Sequence, residues 1–107
     1  MKFLCLAYLD RGLFPGPGVV ADYAALGEAM REAGVFVDSG QLSPGDAAKL
    51  IRVTDGRPEV SDGLPAGTGQ APTAYFVIDC ADLDDALGWA RRIPAAAYGS
   101  IVVRPPR

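Results

Sequence analysis

The chain contains no histidine, and that absence removes more chemistry than any other feature of its composition. Without an imidazole there is no Ser-His-Asp or Cys-His nucleophile and no unperturbed side chain that titrates near neutral pH. Cysteine is scarce as well: Cys5 and Cys80 each sit inside an apolar run, with no Cys-x-x-Cys spacing. A zinc site would need both thiols and two carboxylates at unsuitable spacing, so buried free thiols are expected, and neither metal nor cofactor. Basic charge is not in excess: 10 Lys and Arg stand against 13 Asp and Glu, a net charge of −3. Binding to a phosphate backbone needs a clustered basic face, so nucleic acid is not an expected partner. Long apolar runs are also missing. Phe3 to Leu9 resembles a signal-peptide core but meets Asp10-Arg11 at once and lacks a small-residue cleavage site. No stretch approaches the roughly 18 apolar residues of a membrane span. A soluble, cytoplasmic protein with no membrane partner is the expectation.

What is present is a chain of 107 residues, half of them hydrophobic, enough for one compact domain over 1–107. Phe3 to Leu9 reads as a strand, followed by the Gly/Pro-rich loop "DRGLFPGPG". Val19, Tyr23, Leu26, Met30 and Ala33 recur at helical spacing, with Gly34 where a helix C-terminus closes. "VFVDSGQL" predicts a strand from Val35, interrupted near Ser39-Gly40. Two β-prone runs flank Asp55-Gly56, a two-residue hairpin signal, and Pro58 places the returning strand at an edge. "TAYFVIDC" is another strand. Asp82 is a helix N-cap for "LDDALGWARRI", with Leu83, Ala86, Leu87, Ala90 and Ile93 as its apolar stripe and Pro94 as its stop. "GSIVV" is the last strand.

The order β-α-β-hairpin-β-α-β describes an α+β fold: a ferredoxin-like antiparallel sheet with two helices on one face. Two helices cover only one side, yet "FLCLAYL" and "AYFVI" are apolar on both. Soluble monomers rarely expose a large apolar patch, so a homodimer through sheet packing is expected.

The ordered set "MKFLCLAYLD", "REAGVFVDSGQLSP", "SDGLPAGTGQAPTAYFVIDCADLDDALGWARRIP" and "GSIVVRP" resembles the YCII-related family, and within it the DGPF group. The resemblance spans nearly the whole chain and implies a dimeric α/β barrel, in a family whose members mostly lack an established activity. The group's Asp-Gly-Pro-Phe, commonly followed by Ala-Glu-Thr-Lys-Glu, corresponds to Asp62-Gly63-Leu64-Pro65, then Ala66-Gly67-Thr68-Gly69-Gln70. Asp62, Gly63, Ala66 and Thr68 are retained; the charged positions have become glycine and glutamine. Where the family often has Glu before Val-Arg-Pro, this chain has Val102. A His-Asp pair proposed for some members has no counterpart here.

The loop "SDGLPAGTGQ" lacks both the Gly-Lys-Ser/Thr of a P-loop and the GxGxxG of a dinucleotide loop, and a strand follows it. It reads as a connector crossing the mouth of a cleft. Within it Asp62 is either a turn residue closing onto Gly63 or a carboxylate at a pocket rim. Arg104 is a strand-end residue, a partner for Asp62 or a ligand clamp. Tyr8 and Tyr75 are core tyrosines or ligand hydrogen-bonders. Ser61 is a weak nucleophile candidate without a base, and Trp89 a packing or dimer residue. Three functions stay open. The favoured one is a small dimeric binding or accessory protein, taking a small organic ligand and doing no catalysis. The second is a cofactor-free isomerase, lyase or monooxygenase acting in the barrel. The third, implied by the resemblance because DGPF relatives are often encoded beside sigma factors, is an interaction module linked to transcription.

Overall fold

The computed structural model describes residues 1–10 and 16–107. The part of the "DRGLFPGPG" loop at 11–15 lies outside the described residues. The elements are β1 (Lys2–Leu9), α1 (Val19–Glu32), β2 (Phe36–Gln41), a 3-10 turn (Gly45–Ala47), β3 (Lys49–Thr54), β4 (Arg57–Asp62), β5 (Ala74–Asp79), α2 (Leu83–Ala90), α3 (Ala95–Tyr98) and β6 (Gly99–Arg104). The main sheet has the order β2-β5-β1-β6 and every neighbouring pair is antiparallel. This is the ferredoxin-like α+β arrangement expected from the sequence, with three helices instead of two.

Strand alternation sorts the sheet into two faces. Phe3, Cys5 and Ala7 of β1 face the helices together with Ala74, Phe76 and Ile78 of β5, and all six are buried. Leu26 and Met30 of α1, Ala86 and Ala90 of α2, and Ile93 complete the core. The alternate residues Leu4, Leu6, Tyr8, Tyr75, Val77 and Val102 lie on the opposite face, which none of the described helices covers. There Leu4 is 37 % exposed and Val102 40 %.

Local signals account for the element ends. α1 closes in a Schellman motif: Gly34 N–H donates to the Arg31 carbonyl at 3.1 Å and Val35 N–H to that of Met30 at 3.0 Å, with Gly34 at φ +75°. Asp82 caps α2 by accepting a hydrogen bond from Asp85 N–H at 2.8 Å, and the Asp85 carboxylate accepts one back from Ala81 N–H at 3.3 Å. Asp55 and Gly56 both have positive φ, 51° and 76°, the two-residue type I′ geometry that matches strand twist.

Four expectations need correction. β2 does not break at Ser39-Gly40. It continues to Gln41, with its irregularity between Phe36 and Asp38. Gly40 is there because the Tyr75 ring lies against it: a Cβ would come within 2.7 Å of that ring. The second helical segment is two helices, α2 ending at Ala90 and α3 beginning after Pro94, which stands at the α3 N-cap. Its buried stripe is Ala86, Ala90 and Ile93, while Leu83 and Leu87 point outward at 44 % and 40 % exposure. Small alanines let α2 approach the sheet closely, so the larger leucines end on the far side. In α1, Ala33 is the exposed C-cap residue and not part of the buried stripe.

The β3–β4 hairpin forms a two-stranded sheet of its own. It projects from a molecule of 48 × 34 × 19 Å, and Ile51, Val53 and Val60 are 64–67 % exposed on it. Cross-strand pairing of Ile51 with Val60 and of Val53 with Pro58 aligns these on one face.

Candidate functional site

A cleft of about 680 Å³ lies on the helix side of the sheet, between α1 and the β2–β5 edge. Its α1 wall repeats at every fourth residue: Tyr23, Gly27 and Arg31. Residues four apart stack along one helix face, so these three line the cleft in successive turns. The Tyr23 ring stacks on Phe76 of β5, with centroids 6.1 Å apart and an interplanar angle of 11°. Burial raises the Tyr23 hydroxyl above its ordinary pKa, partly offset by a hydrogen bond with the Ala95 backbone. Ser39 and Gln41 reach the cleft from β2, Thr73 from the start of β5, and Tyr98 from α3.

Gly27 is buried in a helix interior, where glycine is unfavourable by roughly 1 kcal/mol relative to alanine. A Cβ there would meet nothing closer than the Arg31 guanidinium at 3.4 Å. The missing side chain leaves volume in the cleft wall, and Arg31 lies back over it along the helix, the direction helical side chains favour. The Arg31 guanidinium carbon sits 4.4 Å from the Phe36 ring centroid, a cation–π contact that holds it in place. Among the described residues Arg31 is the single charged side chain in the cleft lining, and no carboxylate pairs with it.

The residues singled out from the sequence fall in two other places. Tyr8, Tyr75 and Arg104 share the open sheet face. The Tyr75 hydroxyl donates to Asp38 Oδ2 at 3.2 Å, and that hydrogen bond, with the nearby charge, raises the Tyr75 pKa. Tyr75 also borders the cleft at the sheet edge. Arg104, opposite Leu4 on β1, lines a shallower groove with Pro105 and Pro106. Asp62 and Ser61 lie on the exposed strand β4. Asp62 pairs with Lys49 across the hairpin, not with Arg104, and Gly63 N–H is taken by the Ala48 carbonyl at 2.8 Å. The structure therefore brings Tyr8, Tyr75 and Arg104 onto one surface and leaves Asp62 and Ser61 apart from them.

The loop after Asp62 is a connector. Gly63, Gly67 and Gly69 all take positive φ, Thr68 closes a turn on Pro65, and the Gln70 side-chain amide donates to the Leu9 carbonyl at 2.6 Å. Leu9 lines the cleft, so the loop is fastened at the cleft edge.

Cys5 and Cys80 are free and buried, and burial pushes both thiols up to about 11. Thiols so protonated are poor nucleophiles at neutral pH. Among the described residues no three His, Cys, Asp or Glu side chains gather as metal ligands, and no helix is long and apolar enough to cross a membrane.

A ferredoxin-like α+β domain with an open sheet face and a helix-side cleft is thus the class that fold and site define. Residues 1–105 match the YCII-related domain, and the chain belongs to that family. It is also 37 % identical over 89 residues to an uncharacterized protein of Rhizobium meliloti (strain 1021), covering 81 % of this chain and 72 % of that one.

Proposed function

We propose that this chain is a small-molecule-binding protein of the DGPF group, without chemistry of its own, that works in the cytoplasm as a homodimer. The observation that carries the binding reading is the α1–sheet cleft. Its size lies within the range of ligand pockets, its walls are mainly apolar, and a few polar groups converge on it. The described lining supplies no carboxylate, imidazole or thiol that could act as a general base, and the Tyr23 hydroxyl is held protonated. That composition supports binding over turnover. Two buried, unpaired cysteines accord with a reducing compartment.

The dimer reading rests on the open sheet face. Leu4, Leu6, Val77 and Val102 form a continuous apolar surface there, and Tyr8, Tyr75 and Arg104 belong to the same surface. Packing two such sheets about a two-fold axis makes the dimeric barrel and covers the patch. Light scattering tests it directly: twice the 11.2 kDa chain mass at micromolar concentration is expected, and a monomer overturns it. The binding reading is tested by amide chemical shifts during titration with small amphiphiles. Movement of Gly27, Ser39 and Thr73 supports it, and silence across the panel refutes it.

A further inference from the structure

The charge and length of the cleft define a ligand class more narrowly than its volume does. We infer that the cleft takes an amphipathic monocarboxylic acid, its carboxylate on Arg31 and its apolar body along the Tyr23–Phe76 stack. This rests on the binding reading above and goes a step past it.

Three observations converge. Among the described residues the lining holds one formal charge, Arg31, in a chain whose net charge is −3, so the described cleft wall carries an isolated cation. Among the described residues no carboxylate lies within salt-bridge distance of that guanidinium. The cation–π contact with Phe36 holds it against the helix, above Gly27. A guanidinium held in one orientation presents a planar fork that matches a carboxylate in a bidentate pair, with little further ordering on binding. One fork suits one anionic group better than two.

The apolar end is set by the helix. Tyr23 and Arg31 are eight residues apart, so about 12 Å of rise separates their Cα positions along the cleft wall. A ligand that reaches both places its charged head beside the last turn of α1 and its chain or ring against Tyr23 and Phe76. Arg31 also stands in the last turn of α1, where a cation favourably opposes the helix dipole. A purely structural role for Arg31 therefore predicts a loss of stability on substitution, but no selectivity between an acid and its neutral analogue.

The test uses matched pairs of probes, octanoate with octanamide and 4-phenylbutyrate with 4-phenylbutyramide. They are titrated to about 10 mM, which detects binding as weak as about −4 kcal/mol, a Kd near 1 mM. Amide shifts of the labelled full chain are followed in the wild type, Arg31→Gln and Arg31→Lys. The acids are expected to bind about tenfold or more tighter than the amides, with shifts at Gly27, Ser39 and Thr73. Arg31→Gln should weaken the acids by about 10- to 100-fold, the range of a charge-assisted hydrogen bond, and leave the amides unchanged. Arg31→Lys should keep part of the acid preference. Equal binding of acid and amide, or an acid preference that survives Arg31→Gln, overturns the inference while the cleft remains a binding site. If neither acids nor amides move the lining amides, the binding reading fails and the inference fails with it.

Discussion

Replacing Gly27 by alanine tests the cleft from the protein's side. Gly27 is helical, buried and not in a left-handed conformation, so alanine fits its backbone without strain. Helix propensity then favours alanine by about 0.8–1.0 kcal/mol. The added methyl would stand 3.4 Å from Arg31 Nη1 and 4.0 Å from its guanidinium carbon, ordinary contact distances. No steric cost offsets the gain. For a domain of this size, about 1 kcal/mol corresponds to a rise of roughly 4–8 °C in Tm. The same methyl fills part of the cleft wall between Tyr23 and Arg31, so amphiphile binding should weaken as stability rises. Calorimetry of the two proteins, followed by the octanoate titration, reads both effects. An unchanged or lower Tm would show that Gly27 is needed for close packing that the present contacts do not contain. A higher Tm with undiminished binding would show that the ligand does not approach this wall.

The remaining predictions concern the rest of the fold. Leu6→Lys, at the centre of the open face opposite Tyr75 and Val102, should convert the proposed dimer to monomer in light scattering while circular dichroism stays native. A dimer that persists would place its interface elsewhere. Gly99→Ala should be severely destabilising, because its Cβ would fall 1.9 Å from the Tyr8 carbonyl oxygen, a backbone atom that cannot swing aside. A loss of several kcal/mol in urea unfolding is expected, and a loss below about 1 kcal/mol would refute the clash. Both buried thiols rise from 9.0 to about 11, so the native state holds their protons more tightly than the unfolded chain. Their contribution to stability is therefore complete below pH 9 and is lost as pH rises from 9 to 11. Cys80→Ala should flatten that fall in urea midpoints measured across the range, and an unchanged slope would contradict the assignment. Asp62→Ala removes an exposed ion pair with Lys49 and should cost less than about 1 kcal/mol in the same unfolding assay.

Much of the fold was legible because local rules and tertiary packing agree. Gly34 ends α1 and Asp82 starts α2, each for reasons contained within five residues of chain. Asp55-Gly56 turns the hairpin by the same logic. Legibility failed where the deciding neighbour is distant in sequence. Gly40 looked like a strand breaker, but Tyr75, 35 positions on, makes it a point of close approach within a continuous strand. Leu83 and Leu87 looked like core, but the sheet selects the smaller alanine face of α2 for its closest contact. The cleft was missed for a related reason. Tyr23, Gly27 and Arg31 at four-residue intervals are visible in the sequence, and a glycine inside a helical stripe was the available signal. Without the β2–β5 wall opposite, that stripe is indistinguishable from a solvated helix face. Asp62 drew notice as part of a motif, and the hairpin carries it to an exposed strand beside Lys49.

The sequence by itself determined the strands, the starts of the two main helices, the hairpin turn and the chemistry withheld from the chain. Each of these follows from short-range periodicity, from backbone preference or from the absence of histidine. Tertiary structure alone decided which face of each element is buried, that Arg31 stands without a carboxylate partner among the described residues, and that an open apolar sheet face lies opposite the cleft. Those outcomes depend on packing between residues tens of positions apart, where side-chain volume and burial select among faces that local preference leaves equivalent.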